Sequence, residues 1–328
     1  MLNHLKEIKR KHDHLKQIKN EYLHDCDEYQ NWEYHNPDLH TQNSLGAKIF
    51  RQTHVLEKGM SVGKPKEKFG VQKAMELMDM IKEYEGYGYK VEESSAVLNA
   101  LGVLNSYLKF HAERGYVPDK LEARFEPYRK YIVDDDTYGI HVIRLDELKK
   151  QAHGEFPEFI ASRHSVRQYD SRNIDTHDVE KAVALAMHAP SACNRQSCKV
   201  YFYTDVETNE ELGNLIAGNT GFDHDVKNYL IVTSDLSAFY DAFERNQVYV
   251  DGGIFTMALI EALHYYGIAS CVLQNGEFKE RNAEFKRICV NIPENEKIIL
   301  FIAIGYYKEE FTYAASHRKK LDEVLITK

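Results

Sequence analysis

The residues of this chain best suited to chemistry crowd into one stretch, Ser162 to Asp205. It opens SRHSVRQYD, where Arg163, His164, Ser165 and Arg167 put two permanent cations, an imidazole able to become a third, and a hydroxyl within five residues. Arginine offers a rigid planar fork of donors, so two at this spacing form a clamp for an oxyanion, phosphate above all. The plainer alternative is a solvated basic turn ahead of a helix. A second motif follows in HAPSACNRQSCKVYFYTD, a Pro190-Ser191 turn with Asn194 and Gln196 that runs straight into a strand. Short amides and hydroxyls on a loop beside a strand are suited to reading the edge of a heterocycle. Cys193 adds a thiol to that turn, with a small packing residue as its alternative.

Other motifs dissolve when their spacing is tested. GMSVGK, Gly59 to Lys64, is one residue short of a P-loop, and Pro65 stands where Ser or Thr would meet magnesium. Gly86 and Gly88 lack both the third glycine of a dinucleotide fingerprint and a strand leading into them. His12, His14, His24 and Cys26 do not make a metal site, because positions two apart do not share a helix face. Trp32 and the many tyrosines read as packing residues.

The elements that must carry these motifs change character near residue 150. Residues 2–24, 71–85 and 94–112 place apolar side chains on one helical face each, as with Val97, Leu101, Leu104 and Leu108. The Gly/Lys-rich stretch LEKGMSVGKPKEKFG between the first two reads as a loop. Beyond 150, Asp175 can cap a helix ending before Pro190, and Lys199 to Thr204 is a strand candidate. YLIVT (229–233) and IILFIAI (298–304) are unbroken apolar runs, expected of central strands covered on both faces. Residues 251–266 form a helix that ends at Gly267. The expectation is a helical domain over 1–150 followed by an α+β sheet-and-helix domain over 151–328.

The whole composition narrows the function classes. With 328 residues, 43% hydrophobic and 28% charged, the chain can bury a sizeable core. A net charge of -9 argues against a nucleic-acid partner. No run is apolar enough for a membrane span, and the charged N-terminus is unlike a signal peptide, so a cytoplasmic protein is expected. Five cysteines without a C-x-x-C pair fit reduced thiols better than disulfides or structural zinc.

Arg163 to Arg167, the Ala189 to Gln196 turn, DGGIFTMALIEALHYYGIASCVLQNGEF, and IAIGYYKEE with the later His317-Arg318 occur in one order. With these motifs the chain, from about 155 to 325, resembles the nitroreductase family of FMN-dependent oxidoreductases. Ser197 and Cys198 depart from the family's usual proline and aromatic, which bears on packing at that turn. The resemblance implies an α+β, nitroreductase-like FMN domain. Arg163 and Arg318, with Ser165, would hold the FMN phosphate, and His164 belongs to the same motif. Arg167 would face the pyrimidine edge. A backbone N–H from around Leu273, Gln274 and Asn275 would meet flavin N5. Pro190, Ser191 and Asn194 would contact the flavin held mainly by a partner subunit, which implies a homodimer. NAD(P)H is the implied donor, with hydride passed through N5 to a small-molecule acceptor by a ping-pong mechanism.

His54-Val-Leu-Glu57-Lys58-Gly59-Met60, with Phe69-Gly70, is similar to a segment of nitroreductase-like proteins that occur with surface-polysaccharide biosynthesis genes. It implies a substrate role for His54, Glu57 and Lys58, with Lys64, Lys66 and Lys68 helping to select an anion such as a nucleotide-linked sugar. A solvated connector is the alternative. Two other readings stay open for the whole chain. One is a flavin dehydrogenase or oxidase acting on a biosynthetic intermediate, and the other is a flavin-binding module without turnover.

Overall fold

The computed structural model describes every residue except 1, 33–39, 64, 66–67, 133–136, 240–241 and 277–278, and gives backbone alone at 2–3, 28–32 and 279. The N-terminal part contains α1 (Leu2–Trp32), α2 (Gln42–Ser61), α3 (Val71–Gly86), α4 (Ser95–Ala112) and α5 (Asp119–Phe125). Thr41 starts α2 by accepting the Ser44 N–H (3.2 Å), and Ser94 does the same for α4 with Val97 (3.3 Å). Each cap satisfies a donor that the first turn leaves unpaired. Leu45, Ile49, Leu56 and Met60 of α2 meet Ala74, Leu77, Met78 and Ile81 of α3 and the apolar side of α4 in one fully buried core. α1 lies outside it; its Leu5, Ile8 and Leu15 are exposed, and Arg245 grips Asp25 with two bonds of 2.8 and 2.6 Å.

The expected loop from Leu56 to Gly70 is corrected in its first six residues. α2 runs through Ser61, because Leu56 and Met60 continue the stripe begun by Leu45 and Ile49. Gly59 stays helical here because the Phe69 ring packs where its Cβ would be. Packing against α3 and α4 thus outweighs the weak helix propensity of Gly59. His54, Glu57 and Lys58 therefore stand on a rigid helix.

The rest of the chain is β1 (Ile140–Arg144), α6 (Leu145–Ala152), α7 (Phe156–Ser162), α8 (Thr176–Ala186), β2 (Cys198–Phe202), α9 (Val206–Leu215), β3 (Asn228–Asp235), α10 (Gln247–Tyr265), β4 (Ile268–Gln274), α11 (Lys279–Ile288), β5 (Glu296–Tyr306) and β6 (Glu310–Ala314). β2, β3, β5 and β4 form an antiparallel sheet in that order. β3 and β5 are central, as their unbroken apolar runs require. Leu230, Val232, Ile302 and Ile304 face α8 and α10, while Tyr229, Ile231, Phe301 and Ala303 face the second core with Leu212 of α9 and Phe285 of α11. Asp175 caps α8 through the His177 N–H, and Gly267 ends the α10 turn at φ 76°. The architecture is α+β, a helical N-terminal region followed by a sheet-and-helix unit. β1 pairs with β6, so a strand at 140–144 is joined to one at 310–314. Among the described residues no helix is long and apolar enough to cross a membrane.

Candidate functional site

The SRHSVR segment is held as an extra strand along the edge of the sheet. Ser165 bridges Ser270 of β4 in parallel, the Val166 N–H donates to the Ser270 carbonyl (3.0 Å), and the Asp170 N–H donates to Tyr306 (2.9 Å). Tyr169 turns inward, and its hydroxyl donates to the Val166 carbonyl (2.8 Å). Gly305 makes room for that ring, since a Cβ there would lie 2.6 Å from the Tyr169 Cβ.

Behind Arg163 runs a buried polar chain. Ser162 Oγ donates to the Phe159 carbonyl (2.9 Å), so it receives the His264 Nε2–H (2.8 Å). His264 Nδ1 is then left to accept the Tyr307 hydroxyl (2.8 Å). Burial and the nearby Arg163 pull His264 down to about 4, which keeps the ring neutral at pH 7 as this tautomer needs.

At this segment Arg163, Arg167 and Arg318 have no carboxylate at ion-pair distance among the described residues. Arg163 is half-buried, and burial, with Arg318 acting in the same direction, works to lower its pKa. The Arg318 Nη1 donates to the Ser316 carbonyl (2.6 Å). Arg167 is 5% exposed; its Nη1 donates to the Ser165 carbonyl (3.2 Å), and its Nε has no partner among the described residues. His164 does not add a third charge. It stacks on Tyr313 at 3.6 Å, and burial with Arg163 beside it drives it down to about 3.

Arg167 lines a cleft of about 1500 Å³ between α2, the Ala217–Gly221 loop and the end of β4. Arg51, His54, Lys58 and Lys73 share its wall, with Asp223 the one acid among the lining residues. Lys58 donates to the Gly218 carbonyl and stands 5.6 Å from the Phe222 ring. Desolvation, then Arg167 and Lys58, lowers His54 to about 4, though the imidazole is open to the cleft and water there weakens that shift. Gln274 and Asn275 also line the cleft, with Asn275 donating to the Ile298 carbonyl (3.0 Å). Glu57 does not line it. Lys68 stands over Tyr116 instead, and Lys64 and Lys66 lie outside the described residues.

Pro190, Ser191 and Asn194 are not brought to the arginines. Their turn leads into β2, at the opposite edge of the sheet from β4, three strand spacings or roughly 14 Å away. The turn is strained, with Cys193, Asn194 and Gln196 at φ 51°, 56° and 49°. Asp251 holds it by accepting the Ala192 N–H (3.1 Å), Ser191 Oγ accepts the Gln196 N–H (3.0 Å), and Arg195 forks onto Glu244 (2.8 and 2.7 Å). At the departures from the family pattern, Ser197 bonds Ser234 (2.8 Å) and Cys198 begins β2.

Sequence reasoning missed the Ser162–His264–Tyr307 chain and the cleft residues Arg51, Lys73 and Cys271. For His264 the only signal was a histidine on the apolar side of its helix, which resembles ordinary packing.

Residues 160–221 match the sequence model of the nitroreductase family. A curated protein of Archaeoglobus fulgidus, described as an NADH dehydrogenase/NAD(P)H nitroreductase, is 28% identical over 171 residues, which is 51% of this chain and 94% of the relative. Among solved structures, one from Parabacteroides distasonis with the same description gives a TM-score of 0.46 at 18% identity, over 53% of this chain and 98% of that one. A nitroreductase of Desulfovibrio desulfuricans in complex with FMN gives 0.45 at 19% identity, over 54% and 98%. The family match spans both the arginine segment and the Pro190 turn.

Proposed function

We propose that the chain is an FMN-dependent oxidoreductase that takes hydride from NADH or NADPH and delivers it to a small anionic acceptor by a ping-pong mechanism. The observation that carries this reading is Arg167, a 95%-buried cation (5% exposed) whose Nε is left without a partner on the wall of an open cleft. A buried donor without a partner costs about 1–3 kcal/mol, so such a site calls for an anionic or carbonyl ligand. When bound, FMN supplies a ring that accepts hydride at N5 and gives it up again.

The residues present fit that group. Arg163 and Arg318, with the Ser165 hydroxyl, form a charge-assisted cradle for its phosphate, and the neutral His164–Tyr313 stack closes one side. Arg167 faces the pyrimidine edge, and Gln274 and Asn275 offer backbone N–H groups where β4 ends. Lys58, Arg51 and Lys73 give the outer cleft a positive wall suited to an anionic acceptor such as a nucleotide-linked sugar.

Pro190, Ser191 and Asn194 serve the site of a second copy, which makes the working unit a homodimer. Support comes from their separation from Arg167 and from the exposed apolar line Val250 (51%), Ile254 (41%) and Met257 (43%) along α10. We read residues 1–150 as a helical domain added to the FMN domain at 151–328, of the kind found beside polysaccharide-biosynthesis genes. The five free cysteines support a cytoplasmic setting.

Stopped-flow mixing of the flavin-loaded protein with NADH and NADPH tests the reading. Rapid bleaching of the flavin band by a nicotinamide is expected. Bleaching only by a biosynthetic substrate, or by neither, would replace this reading with a dehydrogenase or a binding module.

A further inference from the structure

Of the three α2 residues expected to meet substrate, His54, Glu57 and Lys58, Glu57 alone does not line the cleft. It is 2% exposed, and its Oε1 accepts the N–H of Ser316 (3.3 Å). Burial raises its carboxyl to about 7, against the pull of the Ser316 N–H, Arg167 and Arg318. Ser316 sits at φ 48°, a conformation that an L residue keeps only when its surroundings hold it. Two residues later stands Arg318, whose guanidinium folds back onto the Ser316 carbonyl (2.6 Å).

The same arm touches the helical region all along its length. The Ala315 N–H donates to Gly139 (2.9 Å), the His317 ring lies 4.9 Å from Tyr138, the Lys319 ammonium is 6.0 Å from Phe50, and the Lys320 N–H donates to Ser95 Oγ (3.3 Å). Of these contacts, Glu57 alone fixes the strained residue from which Arg318 is aimed.

We infer that Glu57 is a positioning residue: it docks the Ala315–Lys320 arm onto α2 and thereby sets where the Arg318 guanidinium stands beside Arg163. This rests on the FMN reading only for what the arm is aimed at. It gives the N-terminal helices a role in cofactor retention that needs no contact with substrate. A carboxyl keeps an acceptor oxygen in either protonation state, so the latch holds across neutral pH.

The test uses the full-length protein with Glu57→Met, which fills the volume without an acceptor, and Glu57→Gln, which keeps one. Two measurements are made: amide hydrogen exchange across 315–320 without flavin, and the Kd for FMN from fluorescence quenching. In Glu57→Met the Ser316 amide loses protection and the Kd rises about tenfold, as loss of one aimed contact predicts. Glu57→Gln restores both. Adding Glu57→Met to Arg318→Ala raises the Kd no further, because the effect passes through that arginine. An equal further loss in the Arg318→Ala background, or unchanged Ser316 protection in Glu57→Met, overturns the inference. Should Glu57→Met not fold, the wild-type exchange decides: Ser316 must exchange more slowly than His317 and Arg318, whose N–H groups have no partner among the described residues. If wild-type protein fails to bind FMN, the cofactor reading falls while the exchange data still judge the latch.

Discussion

Arg163 and Arg167 are four residues apart and should fail in different ways. Arg163 is assigned to the phosphate, so Arg163→Ala should weaken FMN roughly ten- to a hundredfold, the worth of one charge-assisted bond. Fluorescence titration measures it. Arg167, whose Nε has no partner among the described residues, is assigned to the edge that gains negative charge on reduction. Arg167→Ala should therefore weaken reduced flavin more than oxidised and lower the midpoint potential, by about 30 mV for each 1.4 kcal/mol. If spectroelectrochemistry finds the potential unchanged, or lowered more by Arg163→Ala, the two roles are misassigned. This pair was legible in the sequence because its members are neighbours there. The chain behind Arg163 was not, because Ser162 and His264 are 102 positions apart and His264 and Tyr307 are 43. No spacing rule joins residues that only the sheet brings together.

At the scale of elements, α2 decides what surrounds the arginines. Its Lys58 stands on the cleft wall and braces the Gly218 carbonyl. Lys58→Ala should lower kcat/KM for an anionic acceptor about tenfold while FMN content and reduction by nicotinamide stay as they were. Equal turnover of that acceptor by both proteins would return Lys58 to the role of a loop brace. The helix itself was illegible through Lys58-Gly59-Met60, since glycine there reads as punctuation until Phe69 is seen to fill its flank. α10 poses the converse case. Its apolar stripe from Asp251 on was visible, but not that the helix begins at Gln247 or that Val250 and Ile254 would stay exposed. If that face joins two copies, Val250→Glu with Ile254→Glu should shift the protein to monomer and strip its flavin together, as light scattering with absorbance would record. A monomer that keeps its flavin would refute the shared site.

For the whole molecule, burying neutral histidines makes stability depend on acid. His264 is lowered from 6.5 to about 4, so the unfolded chain binds a proton in that window that the folded chain refuses. Its contribution, about 3 kcal/mol, is fully present above pH 6.5 and is lost as pH falls towards 4. Glu57, raised to about 7, works the other way between pH 4.5 and 7. Denaturant midpoints at pH 7 and 4 should therefore differ less in His264→Gln than in wild type; identical differences would mean that the histidine is not held neutral. Fold class and the central place of two strands were legible because β3 and β5 each carry an unbroken apolar run. The pairing of β1 with β6 was not, because a five-residue strand carries too little pattern to announce a partner so far along the chain. The central claim is that Arg163, Arg167 and Arg318 converge to hold one flavin mononucleotide. Heat release of the pigment from purified protein, followed by chromatography, tests it most directly. FMN at about one per chain is expected, and FAD, or a colourless protein that added FMN does not restore, would contradict it.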